Sequence, residues 1–409
     1  MKRALSYPKN KITVLLLENI DPLAKKLLFD EGYSVKTVST ALSEKDLIDE
    51  IKNVSIIGIR SKTQLSAEII NSSTKLLAIG AFCIGTNQID SDASALKGIP
   101  IFNAPYSNTR SVVELILGEM LVLSRKIFDR SQNLHAGHWN KSSAGCHELR
   151  GKKLGIIGYG NIGSQLSVLA ENLGMEVMYY DISDKLSLGN AKSCKTMKEV
   201  LKNADIVTIH VDGRSANKNL IGKKEFALMK QGALFLNASR GFVIDVEALA
   251  EAITQKRLAG CAVDVFPTEP NGSGAGFQSP LQGLANTILT PHIGAGTVEA
   301  QQNIAKYVSS KLIQFINTGS TTLSVNFPEI QLSEIRKVHR LIHIHKNIPG
   351  VLAKINTILA RNKINIEAQY LKTNENVGYV IFDVNRTYGK EVIQQLRDMS
   401  ETIRVRVLY

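Results

Sequence analysis

Residues 153–181 read KLGIIGYGNIGSQLSVLAENLGMEVMYYD. The apolar stretch Leu154–Gly158 predicts a buried strand. Gly158-Tyr159-Gly160-Asn161-Ile162-Gly163 then supplies a complete G-x-G-x-x-G, and a helical pattern follows it. A second strand, Glu176–Tyr180, ends at Asp181, 18 positions past the last glycine. In a βαβ unit this is the spacing of a dinucleotide site. The first glycine allows the tight turn, the second lets a pyrophosphate approach the backbone, and the third lets the helix pack on its strand. The helix N-terminus then faces the phosphates. Asp181 is expected to accept hydrogen bonds from the adenosine ribose and to repel a 2′-phosphate, which favours NAD over NADP.

The rhythm continues downstream. Ile206–His210, Ala233–Asn237, Gly260–Val265 and Thr287–Leu289 are further strand candidates, making six strands of a doubly wound sheet. Upstream, Ile12–Leu17, Ser34–Val38, Val54–Ile59, Leu76–Ile79 and Pro100–Phe102 alternate with amphipathic stretches, as in a second parallel sheet covered on both faces. A long helical pattern runs from Ser111 to Phe128, and Asn271–Gly276 marks an exposed loop. From about His339 the pattern changes to strand Leu341–His345, helix Gly350–Arg361, strands Ile364–Tyr370 and Gly378–Val384, helix Lys390–Met399 and strand Ile403–Leu408. That βαββαβ order is ferredoxin-like, and Asn326–Val338 would link it to the rest.

Composition narrows the function. A chain of 409 residues, 44% hydrophobic and 21% charged, fits a soluble protein of two or three domains. The first apolar run is six residues, too short for a signal core or a membrane span. Cys83, Cys146, Cys194 and Cys261 form no Cys-x-x-Cys pair, so no metal site is expected and a reducing cytoplasm fits best. The net charge of +12 is spread along the chain without aromatic interleaving. It suits a small anionic substrate better than nucleic acid, and no membrane partner is expected.

Three segments follow later strands, where ligands of open α/β sheets gather: Asn237-Ala238-Ser239-Arg240-Gly241, Asp264 to Pro270, and Thr290-Pro291-His292-Ile293-Gly294. Oxidising an alcohol needs a base for the hydroxyl proton. His292 can act near neutral pH, with Glu269 holding its imidazolium. The planar fork of Arg240 can grip a carboxylate and polarise the C2 oxygen of a 2-hydroxy acid.

With these motifs in view, the chain resembles the D-isomer-specific 2-hydroxyacid dehydrogenase family, through GYGNIG, NASRG, DVFPTEP and TPHIG. It is similar above all to the bacterial branch carrying a C-terminal ACT domain. There the likeness extends through Gly58–Thr63, Phe82–Asp90, Phe102–Val112 and His343–Leu352. The resemblance implies a Rossmann-like NAD domain (108–295), a flavodoxin-like substrate lobe (1–107 and 296–325), a linker (326–338) and a regulatory ACT domain (339–409). It implies oxidation of 3-phospho-D-glycerate to 3-phosphohydroxypyruvate, the first step of L-serine synthesis, with 2-oxoglutarate as a further substrate and a homotetramer as the assembly. Arg240, Glu269 and His292 match the substrate-binding arginine, the paired glutamate and the acid/base of the family. Gly158, Gly160, Asn161, Ile162, Gly163, Asp181, Ala238, Ser239, Asp264, Gly294 and Ala295 match cofactor contacts, with Asp264 at the nicotinamide carboxamide. Arg60, Ser61 and Asn108 match substrate positions of the N-terminal lobe, and Lys141 matches a residue reaching a neighbouring subunit's phosphate site. His345, Asn347 and Asn365 match the L-serine effector site.

Two positions depart from that pattern. Ser333-Glu334-Ile335-Arg336-Lys337 stands where serine-inhibited relatives carry a Gly-Gly pair, and Gly294-Ala295 replaces a Gly-Gly after His292. Three rival readings stand beside the main one: a hydroxypyruvate or glyoxylate reductase of the same fold, an NADH-sensing corepressor-like binding protein, and an amino-acid-responsive DNA binder. The cationic subsite argues against the first and the ACT pattern against the second. The third lacks a helix-turn-helix candidate.

Overall fold

The computed structural model describes residues 8–270, 274, 276–333, 339–385 and 389–408. Most of the Asn271–Gly276 loop and residues 334–338, where relatives place the Gly-Gly pair, lie outside the described residues. The chain forms two compact units, Met1–Pro105 with Gln301–Tyr409, and Tyr106–Ala300.

The first unit opens with a parallel five-stranded sheet. Its strands are β1 (Thr13–Leu16), β2 (Ser34–Thr37), β3 (Ile56–Ile59), β4 (Ala78–Ala81) and β5 (Ile101–Phe102). Their order β2-β1-β3-β4-β5 is that of flavodoxin-like sheets. Every residue of β3 and β4 is buried, which is why these strands read as continuous apolar runs rather than alternating ones. One face is covered by Ile304, Val308, Leu312 and Phe315 from the helix Val298–Thr318. Each fully buried aliphatic side chain there contributes roughly 1.5–3 kcal/mol.

The second unit carries seven parallel strands: β6 (Lys153–Ile157), β7 (Glu176–Tyr180), β8 (Lys192–Ser193), β9 (Ile206–Ile209), β10 (Ala233–Asn237), β11 (Leu258–Val263) and β12 (Thr287–Leu289). The order β12-β11-β10-β9-β6-β7-β8 reverses between β6 and β9, the topological switch point at which such sheets bind ligands. The sequence predicts six strands. The seventh, β8, is two exposed residues on the sheet edge with no apolar pattern to announce it.

The helical pattern expected from Ser111 to Phe128 is two helices, Thr109–Arg125 and Ile127–His135. Lys126 between them is left-handed (φ 53°, ψ 37°). The first helix buries Val113, Ile116, Met120 and Leu123 against the sheet, whereas no residue of the second is buried. The apolar periodicity runs on across a break that only backbone geometry reveals.

The C-terminal module contains β13 (His339–Lys346), the helix Val351–Arg361, β14 (Ile366–Thr373), β15 (Val377–Val384), the helix Lys390–Arg397 and β16 (Thr402–Leu408). Its antiparallel order β14-β15-β13-β16 is the ferredoxin-like arrangement. The expected linker is in part a packed arm. Phe327, Ile330 and Leu332 are buried against Ile342, Ile344, Tyr379 and Ile381 of this sheet. Arg340 forms a buried bidentate pair with Asp383, its cross-strand neighbour, at 2.7 and 2.8 Å, and also donates to the Thr318 carbonyl. Among the described residues no helix is long and apolar enough to cross a membrane.

Candidate active site

The three glycines after β6 serve different physical ends. Gly158 is left-handed (φ 92°), and a Cβ there would stand 2.6 Å from the His210 carbonyl oxygen. At Gly163 a Cβ would meet the Gly158 oxygen at 2.4 Å, so helix and turn touch through backbone alone. A Cβ at Gly160 would meet nothing within 4 Å. That open space lies at the N-cap of the helix Asn161–Asn172, whose first turn no side chain caps. An exposed Asn161 and a half-buried Ile162 follow. Uncapped amides beside free space fit the pyrophosphate of a dinucleotide.

Asp181, just past β7, accepts a hydrogen bond from the Tyr159 amide at 2.8 Å and two from Ser183 at 3.0 Å. Burial works to raise its pKa, but these bonds and the Lys185 charge outweigh it and keep the carboxylate ionised. A fixed anion with an oxygen lone pair remaining suits ribose hydroxyls.

The catalytic candidates come together on the loops after β10, β11 and β12. Asn237 accepts from the Ser239 amide and hydroxyl and donates to the Arg240 carbonyl, which folds Ala238, Ser239 and Arg240 into a tight loop. Arg240 Nη1 donates to the Ser239 carbonyl at 2.7 Å, and its guanidinium enters no ion pair among the described residues. Gly241 packs so closely that a Cβ would stand 1.9 Å from the Phe266 carbonyl carbon. Beyond Phe266 the chain turns, and Glu269 Oε1 accepts the Phe266 amide at 3.1 Å while Oε2 meets His292 Nδ1 at 2.9 Å. With Nδ1–H given to the carboxylate, Nε2 is the ring nitrogen left for a substrate.

The His292–Glu269 hydrogen bond raises the imidazole pKa; burial opposes it, and the charges of Glu269 and Asp264 add to it. For Glu269, burial pushes upward, but the His292 bond and charge prevail and hold the carboxyl below its ordinary value.

His292 itself is left-handed (φ 54°). Asp264 holds it there. Its carbonyl accepts the His292 amide, Oδ1 accepts Thr290 Oγ1 and the Ile293 amide, and Oδ2 accepts the Gly294 amide, all within 2.6–2.8 Å. One lone pair on Oδ2 remains for a carboxamide. Asn237, Thr290 and Gly241 are thus builders of the site that motif reading quotes without assigning a role.

A further group is absent from every motif. Glu119, on the buried face of Thr109–Arg125, has an Oε1 without a hydrogen-bond partner. Burial, then the charge of Asp264, push its pKa from 4.5 up to about 8. Protonation of the unfolded chain is lost near 4.5, while the folded state keeps its proton to about 8. Folding is therefore progressively disfavoured as pH rises through that window. Glu119→Gln should thus gain melting temperature over the parent between pH 5 and pH 8, as thermal denaturation across that range would show. A difference independent of pH would contradict it.

The remaining expected residues are dispersed. Arg60 and Ser61 follow β3 in the first unit, Arg60 half-buried and Ser61 exposed. Asn108, matched with them to substrate positions, is the N-cap residue of the helix Thr109–Arg125 in the second unit. It is buried with an unpartnered Oδ1. Lys141 is exposed on the irregular segment after Ile127–His135, and Ala295 is half-buried beside Gly294. In the ACT module His345 is buried over Gly378, while Asn347 donates to the Asn374 carbonyl at 2.7 Å. Asn365 lies at the opposite end of the sheet, because β13 and β14 run the same way and both pair with β15. At about 3.3 Å per residue that separation is about 20 Å. One chain does not bring the three together.

Residues 117–294 match the family model described as the D-isomer specific 2-hydroxyacid dehydrogenase NAD binding domain. Residues 341–404 match the AHAS small subunit-like ACT domain. The chain is 48% identical over 410 residues to D-3-phosphoglycerate dehydrogenase of Haemophilus influenzae, covering 100% of both chains. It is equally 48% identical to D-3-phosphoglycerate dehydrogenase of Dictyostelium discoideum, again covering 100% of both. Among solved structures, a glyoxylate reductase from Paecilomyes thermophila superposes with a TM-score of 0.69 at 25% identity, covering 77% of this chain and 98% of that one.

Proposed function

The chain belongs to the D-isomer-specific 2-hydroxyacid dehydrogenases, in the ACT-bearing D-3-phosphoglycerate dehydrogenase branch, and from that membership we propose how its residues act. It is an NAD-dependent dehydrogenase. Its reaction is oxidation of 3-phospho-D-glycerate at C2 to 3-phosphohydroxypyruvate, the first step of L-serine biosynthesis. The observation that carries this reading is the 2.9 Å contact between His292 and Glu269, with Arg240 on the neighbouring loop.

NAD, when bound, supplies the hydride acceptor. The chain's own residues handle the proton and the anion. His292 Nε2 takes the C2 hydroxyl proton, and Glu269 stabilises the imidazolium so formed. Arg240 holds the substrate carboxylate and polarises the C2 oxygen. Arg60 and Ser61, with Asn108 and a neighbouring subunit's Lys141, receive the phosphate end. Asp181 and the Gly158–Gly163 turn seat the cofactor. A second carboxylate in the phosphate subsite would admit 2-oxoglutarate.

L-Serine is proposed as the effector, bound by His345 and Asn347 of one copy and Asn365 of another. The distance between them within one chain and the exposed edge strand β14 support that arrangement. Exposed Ile127, Phe128, Leu134 and Trp139 support a second contact through the NAD-binding unit, hence a homotetramer. Four free cysteines suit a cytoplasmic setting.

The test is NADH oxidation dependent on phosphohydroxypyruvate, repeated with added L-serine. Steady oxidation slowed by serine is the expected result. A protein that oxidised no NADH with this substrate would end the proposal.

A further inference from the structure

One buried carboxylate lies outside all of the machinery above. Glu18, two residues past the end of β1, is left-handed (φ 62°) and almost fully buried. Its Oε1 accepts the Arg60 amide at 3.1 Å and the Thr63 amide at 2.8 Å; Oε2 accepts the Lys62 amide at 2.9 Å. Three backbone donors of one loop thus converge on a single side chain. The same loop is held from the other side. Gln88, also buried, donates through Nε2 to the Arg60 carbonyl at 2.7 Å and to the Gly85 carbonyl at 3.2 Å. Downstream, the Leu65 amide donates to the Gln88 carbonyl and the Asp90 amide to the Leu65 carbonyl.

The Arg60 amide and carbonyl are therefore fixed by side chains from two different loops, the one after β1 and the one after β4. Converging amides of this kind themselves make an anion-binding nest. Here the nest is filled from within, so an incoming dianion has to be met by the side chains of Arg60 and Ser61. Fixing the backbone beneath a long, flexible arginine reduces what must be ordered when the ligand arrives.

We propose that Glu18 and Gln88 are positioning residues for the phosphate end of the substrate, acting through the backbone of Arg60. The inference rests on the reading that Arg60 receives the phosphate. Glu18→Gln replaces one acceptor oxygen by a donor, setting N–H against N–H and loosening the loop. Gln88→Met removes the donor to the Arg60 carbonyl at nearly constant volume.

The experiment measures KM and kcat for phosphohydroxypyruvate and for unphosphorylated hydroxypyruvate in the intact enzyme, with Arg60→Ala in parallel. Both positioning variants are expected to raise KM for the phosphorylated substrate about tenfold, which corresponds to about 1.4 kcal/mol. KM for hydroxypyruvate and for NADH, and kcat, should move by less than about twofold. If Glu18→Gln fails to fold, Gln88→Met carries the comparison alone. Should Arg60→Ala show the phosphate-selective loss while the positioning variants change both substrates equally, or neither, the role of Glu18 and Gln88 is overturned. Should Arg60→Ala itself lose no phosphate selectivity, the assignment of Arg60 fails and the inference with it.

Discussion

His292→Asn should lower kcat by roughly 10²–10⁴-fold, the usual effect of removing a general acid/base. Asparagine keeps a polar group on a backbone that is left-handed at this position, a conformation asparagine tolerates well, so the loss reports on chemistry rather than on folding. The companion variant Glu269→Gln tests the pairing. Glu269 raises the His292 pKa, so its neutral replacement lowers it. On the proposed mechanism the imidazolium donates the proton in oxo-acid reduction, and it is present below its pKa. The alkaline limb of the reduction profile should therefore move to lower pH in Glu269→Gln. In the oxidation direction the neutral ring is required, and the acid limb should move to lower pH as well. Profiles unchanged in both directions would separate Glu269 from the proton transfer.

Arg240→Ala should be nearly as damaging, with kcat/KM for phosphohydroxypyruvate down by about 10²–10³-fold or more. On the proposed mechanism two losses combine: the fork on the substrate carboxylate, seen in KM, and the charge beside the C2 oxygen, seen in kcat. Arg240→Lys should recover only part of this, because an ammonium cannot reproduce a planar two-pronged contact. The variant also carries a sign that sets it apart. The Arg240 charge lowers the His292 pKa. Its removal should shift the alkaline limb of reduction upward, opposite to the shift expected for Glu269→Gln. Steady-state kinetics over a pH series checks both. An Arg240→Ala enzyme with unaltered kcat/KM would remove the guanidinium from the site.

Glu119 and Glu18 show why some buried acidic residues escape motif reading. Glu119 interrupts the apolar face made by Ile116, Met120 and Leu123, and that lone acidic residue was the available signal. Its proximity to Asp264 depends on helix–sheet packing, which no spacing in the chain encodes. Glu18 follows an unbroken apolar run and is 42 residues from Arg60. Only the parallel pairing of β1 with β3 brings their ends together.

What the amino-acid order determined alone was whatever depends on near neighbours. The fingerprint Gly158–Gly163 with Asp181, the alternation of strand and helix, the βαββαβ module and the segments that carry the candidates Arg240, Glu269 and His292 are patterns of short range, set by side-chain periodicity and turn chemistry. Tertiary structure decided the break at Lys126, the edge strand β8, the packed arm at Phe327–Leu332 and the convergence of Asp264 on the His292 loop. Each of these follows from backbone conformation or from strands meeting side by side. Those are cooperative outcomes of burying apolar surface while pairing every buried amide, and no local stretch of sequence contains both partners.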